Sequence, residues 1–144
     1  MTVAAILKDK GHEVVSVRLE TSIAELVQLL AKHRIGAVPV VDGEGRLQGI
    51  LSERDVMKAL AAYGGAVLER QAAQLMTANP STGTPRTTVV EAMAIMTNGR
   101  FRHLPVMENG AMIGMISIGD VVKARLQQQE TEVDSLRAYV VSAA

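Results

Sequence analysis

Two stretches of the chain carry apolar residues at the spacing of an amphipathic helix, and each is followed by a short apolar run that is typical of a strand. The helical positions are Ile23, Leu26, Val27 and Leu30 in the first stretch and Val89, Ala92, Met93 and Met96 in the second. The strand-like runs are Ala37 to Val41 and His103 to Met107, and each contains a proline. Because proline has no N–H for a sheet ladder, we expect each run to lie at the edge or the beginning of a strand.

The two stretches are copies of one repeated unit. Thr21 through Asp42 align with Thr87 through Glu108 at an offset of 66 residues, and Gly49 through Asp55 align with Gly114 through Asp120 at an offset of 65. Each copy predicts a leading strand, a helix, a hairpin and a second helix. In the first copy the leading strand is Glu13 to Val17, the second hairpin strand is Leu47 to Leu51 and the second helix is Glu53 to about Ala62. In the second copy the corresponding elements are Ser81 to Thr84, Met112 to Ile116 and a helix from Ile118 onward. Neither copy alone could bury both faces of so small a sheet. The predicted fold class is therefore α/β (α+β), with two β-α-β-β-α repeats packed as one body. The first repeat covers residues 1–65, the linker and the second repeat cover 66–127, and a C-terminal helical extension covers 128–144.

Composition narrows the function classes. The 144 residues are 48% hydrophobic and carry 15 basic and 15 acidic side chains, so a basic face for nucleic acid is not expected. Only 2% are aromatic and none is cysteine, which excludes base-stacking platforms, disulfides and thiolate metal sites. No apolar run is long enough for a signal peptide or a membrane span, so a soluble, cytoplasmic protein without a membrane partner is expected.

Catalytic motifs are not found either. His12, His33 and His103 show no metal-ligand spacing, and a triad of His33 with Ser52 and Asp55 would lack the glycine pattern of a nucleophile elbow. Walker and Gly-x-Gly-x-x-Gly loops do not occur in the sequence. We therefore expect no catalytic residue, no metal and no catalytic cofactor.

The repeated motif that carries chemistry is Gly-x-x-Ser-x-x-Asp, with Ser52 and Asp55 in the first copy and Ser117 and Asp120 in the second. The doubled unit resembles a tandem pair of cystathionine-β-synthase (CBS) domains over residues 5–127. The resemblance implies a regulatory module that binds an adenine nucleotide, such as AMP, ADP, ATP or NAD, in clefts between the repeats. It also implies a homodimer and a regulated partner protein of unknown identity.

Two interpretations of the Ser-x-x-Asp spacing stay open. In one, the serine caps a helix and the acid completes a capping box, which requires no ligand. In the other, the carboxylate at the helix start accepts the hydroxyl groups of a ribose. The first interpretation corresponds to a ligand-free dimeric interaction scaffold, and the second to a nucleotide sensor.

The resemblance also implies which residues line the two clefts. The first cleft would hold Ser52, Arg54, Asp55, Pro80, Ser81, Arg102 and His103. The second would hold Val14, Val15, Gly36, Ala37, Ser117 and Asp120. Aliphatic candidates for an adenine slot are Val14, Val15, Ile50 and Ile116.

The two clefts differ in charge. Arg54 lies inside the first motif, and Arg100 and Arg102 precede the strand that would face it, whereas the second motif has Ile118 and Gly119 at the corresponding places. Arginine binds phosphate through two parallel hydrogen bonds. The first cleft is therefore expected to prefer a phosphate. Glycine at position 83 departs from the family's usual strand pattern at the edge of this cleft.

The C-terminal segment carries a separate pattern. Its apolar stripe is Val122, Leu126, Val133, Leu136 and Val140, with Gln129 as a polar interruption. The alternating spacing of four and three residues predicts a helix that packs against another helix. Either a dimer mate covers the stripe or the helix folds back over the first repeat of its own chain.

Overall fold

The computed structural model describes residues 1–143. The first part of the chain forms α1 (Val3–Lys10), β1 (Val17–Arg18), α2 (Ile23–His33), β2 (Ala37–Val41), β3 (Leu47–Ser52) and α3 (Glu53–Tyr63). A 3-10 turn (Gly65–Glu69), α4 (Ala72–Leu75) and β4 (Thr77–Ala78) connect to the second part, which forms α5 (Val89–Gly99), β5 (His103–Glu108), β6 (Ala111–Ser117) and α6 (Ile118–Ala143). The predicted α/β class and both helix–hairpin–helix repeats are confirmed.

Packing divides the chain into two compact units. The first unit consists of residues 13–81 and 109–112, and the second unit of residues 1–12, 82–108 and those from 113 onward. Each unit contains one Ser-x-x-Asp motif. The N-terminal residues therefore pack with the second copy of the motif.

The first unit is built on a sheet with the strand order β1-β2-β3-β4. Strands β2 and β3 form the antiparallel hairpin, with Ala37 opposite Ser52, and β1 runs parallel to β2. All residues of β2 are buried, and Val38 and Val40 lie in a core that also includes Ile23, Leu26 and Val67. The same side chains that gave the helical and strand patterns thus form the core.

The edge position expected for the proline-containing strands is wrong for β2, which lies between β1 and β3. The fold tolerates Pro39 there because β1 is short and pairs only with Val40 and Val41. At Pro39 itself β2 therefore has no ladder partner on the β1 side, so the missing N–H costs no hydrogen bond to β1.

The second unit surrounds the β5–β6 hairpin with α1, α5 and α6. Its core contains Val3, Leu7, Met96, Leu104 and Ile116, all at most 1% exposed. The segment before α5 is tied to the N-terminus, because the Val3 N–H donates to the Thr87 carbonyl at 2.8 Å. Helix α1 is thus an integral part of this core.

Both predicted leading strands are wrong in extent. The first is limited to Val17–Arg18 instead of Glu13 to Val17. In place of a strand at Ser81 to Thr84, the structure has a single parallel bridge, in which Gly83 exchanges hydrogen bonds of 2.9 and 2.8 Å with the main chain of β5. A Cβ at this glycine would lie 3.1 Å from Leu104 Cδ2, a tight contact that the buried leucine side chain would have to relieve by moving.

The C-terminal extension is not a separate element. Helix α6 runs without interruption from the second motif to Ala143, and residue 144 lies outside the described residues. The apolar stripe is exposed along its whole length, with Leu136 at 62% and Val140 at 59%. The alternative in which the helix folds back and covers the stripe with its own chain is therefore wrong.

Candidate functional site: two Ser-x-x-Asp helix starts

The first motif lies where β3 ends and α3 begins. Ser52 is the helix N-cap, and its Oγ accepts a hydrogen bond from the Asp55 N–H at 3.3 Å. Asp55 Oδ2 in turn accepts from the Ser52 N–H and from the Ser52 hydroxyl, both at 2.9 Å. Both side chains are half-buried. The capping box predicted from the spacing is thus fully formed, and it holds the carboxylate in one orientation at the start of the helix.

The second motif repeats this geometry between β6 and α6. The Asp120 N–H donates to Ser117 Oγ at 3.1 Å, and Asp120 Oδ2 accepts from the Ser117 N–H at 2.8 Å. The first residue of each helix is held by the main chain just before the proline-containing strand. The Glu53 N–H donates to the Gly36 carbonyl at 2.9 Å, and the Ile118 N–H to the Arg102 carbonyl at 2.8 Å.

These bonds leave one main-chain donor at each helix start. The Gly36 and Arg102 carbonyls bind the N–H of the first helical residue and the serine caps bind that of the third, whereas the N–H groups of Arg54 and Gly119 have no hydrogen-bond partner among residues 1–143. An unpaired N–H beside an oriented carboxylate offers a donor and an acceptor together. Each helix start can therefore bind a group that carries hydroxyls or an anionic oxygen.

The glycine that opens each motif has a steric reason. A Cβ on Gly49 would lie 2.6 Å from Met76 Sδ and 2.7 Å from the Thr77 carbonyl oxygen. A Cβ on Gly114 would lie 2.7 Å from Leu7 Cδ2. In both copies the strand before the motif thus passes directly under a neighbouring segment, which accounts for the glycine without any ligand.

The remaining predicted residues are divided between the two units. The first unit holds Ser52, Arg54, Asp55, Pro80 and Ser81, together with Val14, Val15, Gly36 and Ala37. The second unit holds Ser117, Asp120, Arg102 and His103. Sheet pairing brings Ala37 next to Ser52, and the bond from Ile118 brings the Arg102 main chain to the second motif.

Exposure separates the adenine-slot candidates. Val14, Val15 and Ile50 are half-buried, so part of each side chain remains accessible. Ile116 is wrong as a slot residue, because it is 0% exposed and lies in the core of the second unit. At the offset of 65 it aligns with Leu51, which is also 0% exposed, so the repeat itself indicated a core position.

A contact that the sequence did not suggest distinguishes the two motifs. Lys10, in the last turn of α1, donates to Asp120 Oδ2 at 2.7 Å and to the Met115 carbonyl at 3.0 Å. Burial raises the pKa of Asp120, but the hydrogen bond from Lys10, the Ser117 N–H and the lysine charge outweigh it and hold the pKa below its ordinary value. The second carboxylate is thus ionised and already paired with a cation.

Among residues 1–143, no group of three or more His, Cys, Asp or Glu side chains is arranged to hold a metal ion. None of the helices described is both long and apolar enough to span a bilayer.

Comparisons with known proteins agree with the repeat. A model of the CBS domain matches residues 6–62 and 72–127. The CBS domain-containing protein CBSX3, mitochondrial, of Arabidopsis thaliana is 35% identical over 96% of this chain and 71% of its own length. The crystal structure of the CBS-domain containing protein ATU1752 from Agrobacterium tumefaciens has a TM-score of 0.85 and 47% identity, covering 87% of this chain and 99% of that one.

Two similar solved structures contain ligands with an adenosine group. The CBS domain pair of protein MJ0100, in complex with 5′-methylthioadenosine and S-adenosyl-L-methionine, has a TM-score of 0.78 and 25% identity, covering 89% of this chain and 98% of that one. The structure of CBSX2 in complex with AMP has a TM-score of 0.68 and 28% identity, covering 81% of this chain and 90% of that one. The group common to these ligands is adenosine.

Proposed function

The chain belongs to the CBS-domain family, and from this premise we propose that it is a regulatory module that binds an adenosine-containing ligand at its Ser-x-x-Asp helix starts. CBS domain proteins are generally regulatory rather than catalytic, so the bound ligand would act as a signal. We propose that the regulated protein is a partner of this chain.

The observation that carries the proposal is the burial of the Asp55 carboxylate and the contacts around it. Its carboxylate is half-buried, its contacts to Ser52 run through Oδ2, and the N–H of Arg54 beside it is unpaired. A ribose presents two adjacent hydroxyls, which are donors and acceptors at once. An oriented carboxylate with a neighbouring N–H matches that pattern, and a ribose is common to AMP, ATP, NAD and S-adenosylmethionine.

We assign different ligand preferences to the two helix starts. Arg54 is exposed in the first turn of α3, where its guanidinium can reach a phosphate attached to a ribose at Asp55. At the second start Lys10 already neutralises Asp120, so a ribose must displace the lysine or share the carboxylate with it. We therefore propose that the helix start at Asp55 binds a phosphorylated ligand more tightly than the helix start at Asp120.

The other residues implied by the family resemblance remain part of the proposal. Pro80, Ser81, Arg102 and His103 are proposed to contribute to the first ligand site. Val14, Val15, Gly36 and Ala37 are proposed to contribute to the second, with Ser117 and Asp120. Arg102 is exposed, and we expect it, like Arg54, to contact a phosphate rather than the ribose.

The test is a thermal-shift and calorimetric survey of AMP, ADP, ATP, NAD and S-adenosylmethionine against the wild-type chain and Asp55→Asn. A ligand at a hundredfold excess over its Kd stabilises the folded state by about 2.7 kcal/mol, which a melting experiment detects easily. Asparagine keeps a side-chain oxygen for the cap but loses the charge. We expect Asp55→Asn to remove most of the shift while the melting temperature without ligand stays close to that of the wild type.

Asp42→Asn is the matched control, because Asp42 is a turn carboxylate that accepts main-chain N–H bonds in the same unit but lies outside the motif. It should leave the ligand-induced shift unchanged. If no adenosine-containing ligand produced a shift at millimolar concentration, the ligand-free scaffold would replace the sensor. That alternative is favoured by one observation, namely that both capping boxes are complete without a ligand.

A further inference from the structure

The end of α6 extends beyond the part of the chain that the CBS model matches. The match ends at residue 127, and the helix continues to Ala143. Along the helix the apolar stripe is exposed, with Val122 at 43%, Leu126 at 55% and Val133 at 46%. A shallow groove follows the same face, lined by Leu126, Gln129, Glu130, Val133, Asp134 and Arg137. An exposed strip of this kind marks a contact surface.

The stripe follows the heptad pattern of a two-stranded coiled coil. With Leu126, Val133 and Val140 at position a, the d positions are Val122, Gln129 and Leu136. Among parallel coiled coils, β-branched residues at a with leucine at d favour two strands, and the stripe has Val133 and Val140 at a and Leu136 at d. Gln129 is the polar residue within the stripe, and in a parallel, in-register pair the two Gln129 side chains lie opposite each other and can hydrogen-bond.

The charged residues beside the stripe distinguish a parallel from an antiparallel pair of two α6 helices. In a parallel pair each g residue faces the e residue five positions later on the other helix. Arg125 would then face Glu130 of the second copy, and Glu132 would face Arg137 of the second copy. Both contacts join opposite charges, and each occurs twice across the pair.

The antiparallel arrangement that overlaps the whole stripe brings like charges together. In that arrangement e positions face e positions and g positions face g positions. Glu130 would face Glu130, Glu132 would face Glu132, and Lys123 would face Arg137 of the other helix. Like charges at this distance oppose association, so the stripe and its flanks agree only on the parallel direction.

We propose that residues 122–143 of α6 bind the same segment of a second copy of this chain as a short, parallel, in-register coiled coil. Arg125 Nη1 and Glu132 Oε1 of one chain lie 4.0 Å apart along the edge of the stripe, so both side chains already extend along the edge that a second helix would meet. This proposal does not depend on a ligand. If the helices do not pair, the proposed function in ligand binding is unaffected.

Cysteine cross-linking tests the direction, since the sequence contains no cysteine of its own. In a parallel, in-register pair, two Leu136→Cys chains bring their sulfurs together, and oxidation should convert most of the full-length protein into a disulfide-linked dimer. In the antiparallel arrangement residue 136 faces residue 126, so two cysteines at 136 would be about 15 Å apart along the helices and could not join. Ala138→Cys, on the opposite face, is the matched control and should remain monomeric on a non-reducing gel.

Charge reversal tests the partner contacts. Glu130→Arg places two arginines against each other at both edges of the pair. We therefore expect the dimer dissociation constant to rise about tenfold, or the rate of cross-linking of Leu136→Cys to fall about tenfold. Adding Arg125→Glu in the same chain restores opposite charges and should restore association. Three results would overturn the proposal: no cross-link at position 136, equal cross-linking at 136 and 138, or a double variant no better than Glu130→Arg.

Discussion

Replacing Lys10 with methionine removes the cation that contacts Asp120 and keeps most of the aliphatic side chain. In the wild type the Nζ–Oδ2 distance is 2.7 Å, with the lysine side chain 41% and the aspartate side chain 26% exposed. Because more than a third of the lysine is in contact with water, the pair is worth less than a buried one, about 0.5–1 kcal/mol. A loss of 1 kcal/mol lowers the melting temperature of a domain near this size by about 2–4 °C, and we expect a decrease in that range at pH 7.

The pH dependence identifies the interaction. The folded-state pKa of Asp120 lies below its unfolded value, so the stabilisation is fully present above the unfolded pKa of about 3.9 and is lost as the pH falls through the lower folded value. The difference in unfolding free energy between wild type and Lys10→Met should therefore stay constant between about pH 7 and 5 and disappear in stronger acid. Urea denaturation at a series of pH values measures this difference.

Lys8→Met provides the matched control, because Lys8 is also an exposed lysine in the last turn of α1. It should change neither the stability nor its pH dependence. The reasoning would be refuted if both variants behaved alike, or if the destabilisation by Lys10→Met persisted unchanged at pH 3. In ligand titrations Lys10→Met should also raise the affinity of the second motif for adenosine, since the carboxylate no longer has to exchange a cation for a ribose.

Two further changes follow from the site. Gly49→Ala should destabilise the first unit by about 1–3 kcal/mol in urea denaturation, because the new Cβ meets Met76 and the Thr77 carbonyl. Gly65→Ala has open space around its Cβ and should be nearly neutral. Equal losses of stability in the two variants would contradict the steric account. Arg102→Ala should weaken AMP more than adenosine in calorimetric titrations, since only AMP presents a phosphate; an equal loss for both ligands would remove Arg102 from the phosphate role.

The repeat was predictable because its information is local. The helical spacing from Ile23 to Leu30, the turns and both Ser-x-x-Asp caps depend on residues a few positions apart, and the structure confirms them. Helix α1 was not predicted, because its eight residues have a weak cap signal: Thr2 makes no side-chain bond to the helix. This helix is stabilised by burying Val3 and Leu7 in the second unit, a long-range effect that no local pattern reports.

The pairing of Lys10 with Asp120 was hidden for the same reason. The two residues are 110 positions apart, and only the packing of α1 against α6 brings them together. Ile116 shows the opposite error, because the repeat already indicated its place: at the offset of 65 it aligns with Leu51, which is likewise 0% exposed, whereas Ile50 aligns with Met115 and both are half-buried. Internal symmetry thus predicts the backbone geometry and the burial pattern of both motifs, but not the lysine contact that the second copy acquired.

The two interpretations of the Ser-x-x-Asp motif are compatible with each other. The contacts that form the first cap use Asp55 Oδ2, so capping does not require the whole carboxylate. A carboxylate fixed by its cap loses little side-chain entropy when a ligand binds, which makes it a better ribose acceptor than a freely rotating one. Capping is therefore compatible with ligand binding, and the two copies differ in what else contacts the carboxylate: the described contacts of Asp55 are with Ser52, whereas Asp120 also binds Lys10.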